Sequence, residues 1–157
     1  MADTSEHLAD RLRNEGQKTL EFFGNLTPEQ WDLTVYTEGT SWGVRQVLAH
    51  FVATEVGIAL LVENILAGGP GSPEDFNINE YNERRVAKLN DLSADELMRQ
   101  YAENREASAK LVARMTQADL QRTGQHPFLG VAPLEDIIKM MYRHNQIHQR
   151  EIRKVLG

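Results

Sequence analysis

Apolar residues recur at helical spacing along most of the chain. Over residues 5–23 they fall at Leu8, Leu12, Leu20 and Phe23, one face of a helix. A longer pattern over residues 41–67 puts Val44, Val47, Phe51, Ile58, Val62 and Ile65 on one side, and "GGPGS" ends it. "LSADEL" pairs Ser93 with Glu96 as a capping box and opens a third helix carrying Leu97, Tyr101, Ser108, Leu111, Val112 and Met115. The last helix starts at Pro133 and runs to about residue 154. Shorter signals lie between these. In "NLTPEQW", Thr27 caps, Pro28 takes the first helical position and Gln30 closes a capping box, which predicts a single turn. In "SPEDF", Ser72 as cap and Pro73 inside predict a helix through about residue 89. Strand alternation is confined to weak extended stretches at 33–36 and 128–131, and "TGQHPFLGVAP" reads as a loop.

Four long helices with short extras define an all-α, four-helix bundle in one domain over residues 1–157. The connection between the second and third main helices is too long for a tight helical hairpin. Simple up-down order is therefore not required. A chain of 157 residues buries roughly 68–70% of its unfolded surface, enough for a core without staples.

Composition narrows the chemistry. The 23 acidic and 17 basic residues give a formal charge of −6, and the basic ones are scattered, so no nucleic-acid partner is expected. Absence of cysteine removes disulfides, thiolate metal sites and a cysteine nucleophile together. The polar start "MADTSEHLAD" is unlike a signal peptide, and no apolar run approaches a membrane span. A cytoplasmic protein with no membrane partner is the expectation.

The five histidines carry the candidate chemistry. On the last helix Leu134, Ile137, Ile138, Met141, Ile152 and Val155 define the apolar stripe. His144 and His148 both fall on it, His148 nearer its centre. Side chains at i and i+4 are about 5–6 Å apart at Cβ, close enough to share an ion. His50 lies at the edge of the second helix's apolar face, where it reaches inward. Each is also open to a core reading, as a buried imidazole with a hydrogen-bond partner. A metal satisfies several close neutral imidazoles at once. Of the others, His7 sits at the terminus, and His126, in the loop before the last helix, could cover a site. Asn145 stands where a zinc protease carries its glutamate base, so that mechanism is excluded. Glu55, beyond His50 on the apolar side of its helix, is the candidate catalytic base or histidine partner.

"W-x-V-x-x-V-L-A-H-F", ending at His50, resembles the second-helix motif of the DinB/YfiT-like superfamily. "H-x-x-x-H-x-x-x-I", from His144, resembles its C-terminal motif, and "NINEYNERRVAKLNDLSADEL" is similar to its middle part. The resemblance spans nearly the whole chain in the expected order. It implies a four-helix bundle with one metal held by His50, His144 and His148, a stress-inducible role, and a homodimer. Some relatives are thiol-dependent transferases or isomerases using mycothiol, bacillithiol or glutathione.

The leading expectation is a metal-dependent thiol S-transferase of detoxification type, using zinc, nickel or iron(II) and a low-molecular-weight thiol to act on a small-molecule substrate. A hydrolase and a non-catalytic metal or small-molecule binding protein are the alternatives. The expected pocket walls are Trp42, Tyr81, Asn82 and His126, with Arg84 a looser candidate.

Overall fold

The computed structural model describes residues 3–39 and 41–157. Four long helices form the bundle: α1 (Ser5–Gly24), α3 (Val44–Leu66), α5 (Ala94–Ala113) and α7 (Leu134–Leu156). Short elements fill the connections: α2 (Pro28–Trp31), β1 (Thr34–Tyr36), β2 (Trp42–Gly43), α4 (Ile78–Lys88), α6 (Gln117–Leu120), β3 (Thr123–His126) and β4 (Gly130–Pro133). Helices α1 and α3 each pack principally on α5 and α7, so helices that follow one another directly are not always neighbours. Helix α4 lies against the outside of α3.

Local chemistry explains most boundaries. Thr27 and Gln30 form the capping box that the sequence indicates. Helix α3 starts at Val44 because Trp42 and Gly43 are taken up by antiparallel pairing with β1. The helix after "GGPGS" starts at Ile78, with Asn77 as cap, rather than near Ser72. The Ser72 hydroxyl and amide both donate to the Gln125 carbonyl, at 3.0 and 2.9 Å, so that serine is not available to cap. Gly71, with φ +92°, makes this approach possible; a Cβ there would sit 2.5 Å from the Gln125 backbone. The segment read as a loop before α7 is a hairpin, β3 paired with β4 from Thr123↔Pro133 to His126↔Gly130, and Gly130 takes the left-handed φ of +72° that closes it.

Along the bundle axis the core has two apolar halves. One contains Leu8, Leu12, Val62, Ile65, Val112, Leu134 and Ile137. The other contains Phe23, Val47, Phe51, Leu97, Tyr101 and Ile152. Between them, mid-way along each long helix, lie polar residues. Arg105 donates to Glu55 at 2.6 Å and to the Asn145 side-chain oxygen at 2.7 Å, and Ser108 donates to Glu55 at 3.2 Å. Tyr101 also donates to Asn145, at 2.6 Å. Gly16 leaves room for the arginine: a Cβ there would lie 2.8 Å from Arg105 Cγ.

Among the described residues α3 is the one helix long and apolar enough, by length and composition, to cross a membrane, with a mean hydropathy of 1.5 over its most apolar window. That corrects the sequence-based statement that no run approaches such a span. Half of that window is buried here, with Glu55 paired in its middle.

Candidate metal centre

Helical spacing on α7 stacks His144 and His148 on the side that faces α3, and His50 meets them from α3. The Nε2 atom of His144 lies 3.0 Å from Nε2 of His50 and 3.0 Å from Nε2 of His148. One ligand atom from each residue falls within 4.8 Å of the others. Phe51 packs against both rings of α7, with centroids 5.9 and 5.8 Å away. Burial holds the imidazoles neutral: it pushes the pKa of His50 down to about 3 and that of His148 to about 4, and it lowers that of His144 well below the usual value.

These contacts fit a divalent ion better than they fit one another. A neutral imidazole has one N–H and one lone pair. His144 Nε2 faces two other nitrogens, so as neutral rings they can meet both contacts only by sharing its single lone pair between two N–H donors, with the His144 proton on Nδ1. Its Nδ1 is buried with no partner at all. An ion between the three Nε2 atoms would use every lone pair. Tetrahedral bonds of about 2.0–2.1 Å place two nitrogens roughly 3.3 Å apart, close to the 3.0 Å of the two pairs that share His144. Ligation through Nε2 puts each proton on Nδ1. Tyr36 from β1 then receives the His148 proton across 2.6 Å, while Thr54 lies 3.4 Å from His50 Nδ1. Tyr36→Phe is expected to weaken zinc affinity about 10–100-fold, as loss of an outer partner does, in a competition assay with a chromophoric chelator.

The depressed pKa values also set an acid response. On unfolding, each imidazole returns to about 6.5 and binds a proton it lacked in the native state. Metal-free protein is therefore expected to lose stability as pH falls below about 6.5, at up to about 1.4 kcal/mol per pH unit for each histidine, levelling towards the native values of about 4 and 3. Urea unfolding in chelator across this range checks it; a midpoint that does not move between neutral and mildly acid pH would contradict it.

The histidines line an open cleft of about 710 Å³, with Tyr36, Trp42, Asn82, Phe128 and Met140 among its other walls. The Trp42 ring lies 5.0 Å from that of His50. A side pocket of about 40 Å³ adjoins it, lined by His50, His144, Asn82 and Phe128 as well as His126. Of the residues expected as pocket walls, Trp42, Asn82 and His126 border these cavities. Tyr81 does not: it lies against Gly57 on α3, packed on Phe76 with centroids 5.2 Å apart, and borders neither cavity. Arg84 is exposed beside Glu80. Glu55 is corrected as well. Its carboxylate is occupied by Arg105 and Ser108 and borders neither cavity, so it is not poised as a base. Tyr36, Phe128 and Met140 carried no chemical signal in the sequence, whereas Thr54, one turn beyond His50, could have been found by spacing.

Four long helices with three inward histidines beside an open cleft define a helical bundle with a candidate metal centre. The chain belongs to the DinB superfamily, whose family model matches residues 11–152. Among solved structures it is similar to YfiT from Bacillus subtilis, described as a probable metal-dependent hydrolase with an unusual four-helix bundle topology (TM-score 0.77, 17% identity, 96% of this chain and 84% of that one). It is also similar to the mycothiol-dependent maleylpyruvate isomerase (0.68, 17%, 94% of this chain and 59% of that one). A third similar structure is the colibactin self-resistance protein ClbS in complex with a dsDNA (0.72, 14%, 100% and 98%). No curated protein matches by sequence. The ClbS complex overturns the exclusion of nucleic acid drawn from scattered basic residues: a protein of this fold is solved on DNA.

Proposed function

We propose that the chain is a metal-dependent small-molecule enzyme that transfers the sulfur of an external low-molecular-weight thiol to an electrophile, as in detoxification. The carrying observation is the convergence of three neutral imidazoles, Nε2 inward, on a cleft of about 710 Å³. Zinc, nickel or iron(II) suits such donors and, when bound, would supply Lewis acidity and lower the pKa of a thiol at its open face. The protein's residues do the rest. His50, His144 and His148 hold the ion, and Tyr36 fixes the ring of His148. Trp42, Phe128 and Met140 present apolar surface to a substrate in the cleft. The chain has no cysteine, and Glu55 is already paired, which supports a nucleophile brought from solution. The cleft lies within the ~300–1,000 Å³ of small-molecule sites and has room for a thiol and a second reactant together. A mycothiol-dependent enzyme among the fold neighbours agrees with this reading.

The test is turnover of metal-loaded protein with chlorodinitrobenzene, with and without bacillithiol, mycothiol and glutathione. Turnover that needs one thiol and is lost in His144→Ala supports the transferase. Cleavage of nitrophenyl acetate that is indifferent to thiol points to hydrolysis. No turnover under any condition leaves metal or small-molecule binding as the function.

A further inference from the structure

His126 ends β3 and is 3% exposed. Its Nδ1 accepts two backbone hydrogen bonds across the hairpin turn, from the N–H of Phe128 at 3.0 Å and of Leu129 at 3.1 Å. A nitrogen that accepts from two amides carries the lone pair, so the neutral ring bears its proton on Nε2. Burial lowers the pKa of this imidazole, which keeps the ring in its neutral form. Because Nδ1 is turned back to the hairpin, the ring offers its other edge, with Nε2–H, to the side pocket it lines with His50 and His144. Among the described residues no acceptor meets that N–H. A donor at the pocket wall without a protein acceptor, beside three inward nitrogens, is placed to meet an oxygen that arrives with a ligand. The remaining walls are mainly apolar: Ile58, Ile78, Ile137 and Met141. The volume of about 40 Å³ is too small for an aromatic ring, since a benzene-binding cavity needs about 150 Å³.

We propose that His126 is a substrate-recognition residue, its Nε2–H donating to the acceptor oxygen of a short aliphatic carboxylate or carbonyl compound whose alkyl end fills the side pocket. This rests on the reading of the cleft as a metal-dependent site and names the substrate class that site takes. It also assigns the hairpin a purpose: the turn that closes β3 onto β4 is what fixes the tautomer.

The experiment uses the full chain loaded with zinc, its histidines labelled with nitrogen-15, titrated with butyrate and followed by NMR. Two variants separate the two edges of the ring. His126→Asn keeps an oxygen that accepts from the turn amides but loses the Nε2–H donor. His126→Gln places an amide N–H near the former Nε2. Butyrate affinity is expected to fall about 10-fold or more in His126→Asn, the weight of a hydrogen bond to a charged acceptor, and to stay within roughly 3-fold in His126→Gln. Zinc content should equal the parent's in both, and the metal-free parent should show the proton on Nε2. Undiminished butyrate binding by His126→Asn, a proton found on Nδ1, or no butyrate binding by the parent at millimolar concentration each overturns the proposal. If the parent takes up no zinc, the metal-centre reading alone falls, and the same titration of the metal-free chain decides the role of His126.

Discussion

His144→Ala is expected to abolish stoichiometric zinc binding. Its Nε2 is the atom that both other histidines approach, at 3.0 Å each, and its removal leaves two donors on separate helices. The loss should exceed the ~10–100-fold that follows removal of an outer partner such as Tyr36. Metal that binds only the native state stabilises it by about 2.7 kcal/mol at one hundred times its dissociation constant. The parent should therefore melt at a clearly higher temperature with excess zinc than in chelator, and His144→Ala should melt at the same temperature in both. Elemental analysis of protein made without an affinity tag gives the occupancy directly. Full zinc content in the variant would remove His144 from the centre.

Arg105→Ala is expected to cost about 3–5 kcal/mol, because it leaves the Glu55 carboxylate, 3% exposed, without the guanidinium it is paired with. For a chain of this length that lowers the melting temperature by roughly 10 °C or more. Asn145 and the Leu12 carbonyl lose a donor in the same change. Replacing both members, Glu55→Leu with Arg105→Met, should recover much of the loss, since a buried pair exchanged for apolar groups of similar size is often neutral. A double variant no more stable than Arg105→Ala would show that the wider network, not the pair, holds the energy.

The positions of these residues divide what could be read in the sequence from what could not. Helix geometry fixes directions along one element, so the inward placement of His50, His144 and His148 followed from spacing. So did the four long helices and the Thr27 cap. Partners on other elements were invisible. Glu55 does fall on the apolar side of α3, but nothing local reveals Arg105 on α5 as its counter-ion. Tyr81 sits on the middle segment as expected, yet α4 turns it onto the bare backbone at Gly57. The hairpin from Thr123 to Pro133 has little apolar alternation because it packs at an end of the bundle and pairs mostly through its backbone. Ser72 looked like a cap because its competition with a distant carbonyl has no sequence signature.

The tie between Gly71, Ser72 and Gln125 has a dynamic consequence. Gln125 donates its amide to the Pro70 carbonyl at 2.8 Å and receives from Ser72, so the crossover before α4 and the hairpin that carries His126 are stitched by a few hydrogen bonds far apart in the chain. Asn82 stands on one side of that seam and His126 on the other, both bordering the side pocket. In native-state hydrogen exchange the amides of Ser72 and Gln125 should open as one cooperative unit, at a free energy below that of global unfolding. A residue larger than glycine at position 71 should speed their exchange in step while leaving the amides in the middle of α5 as slow as before.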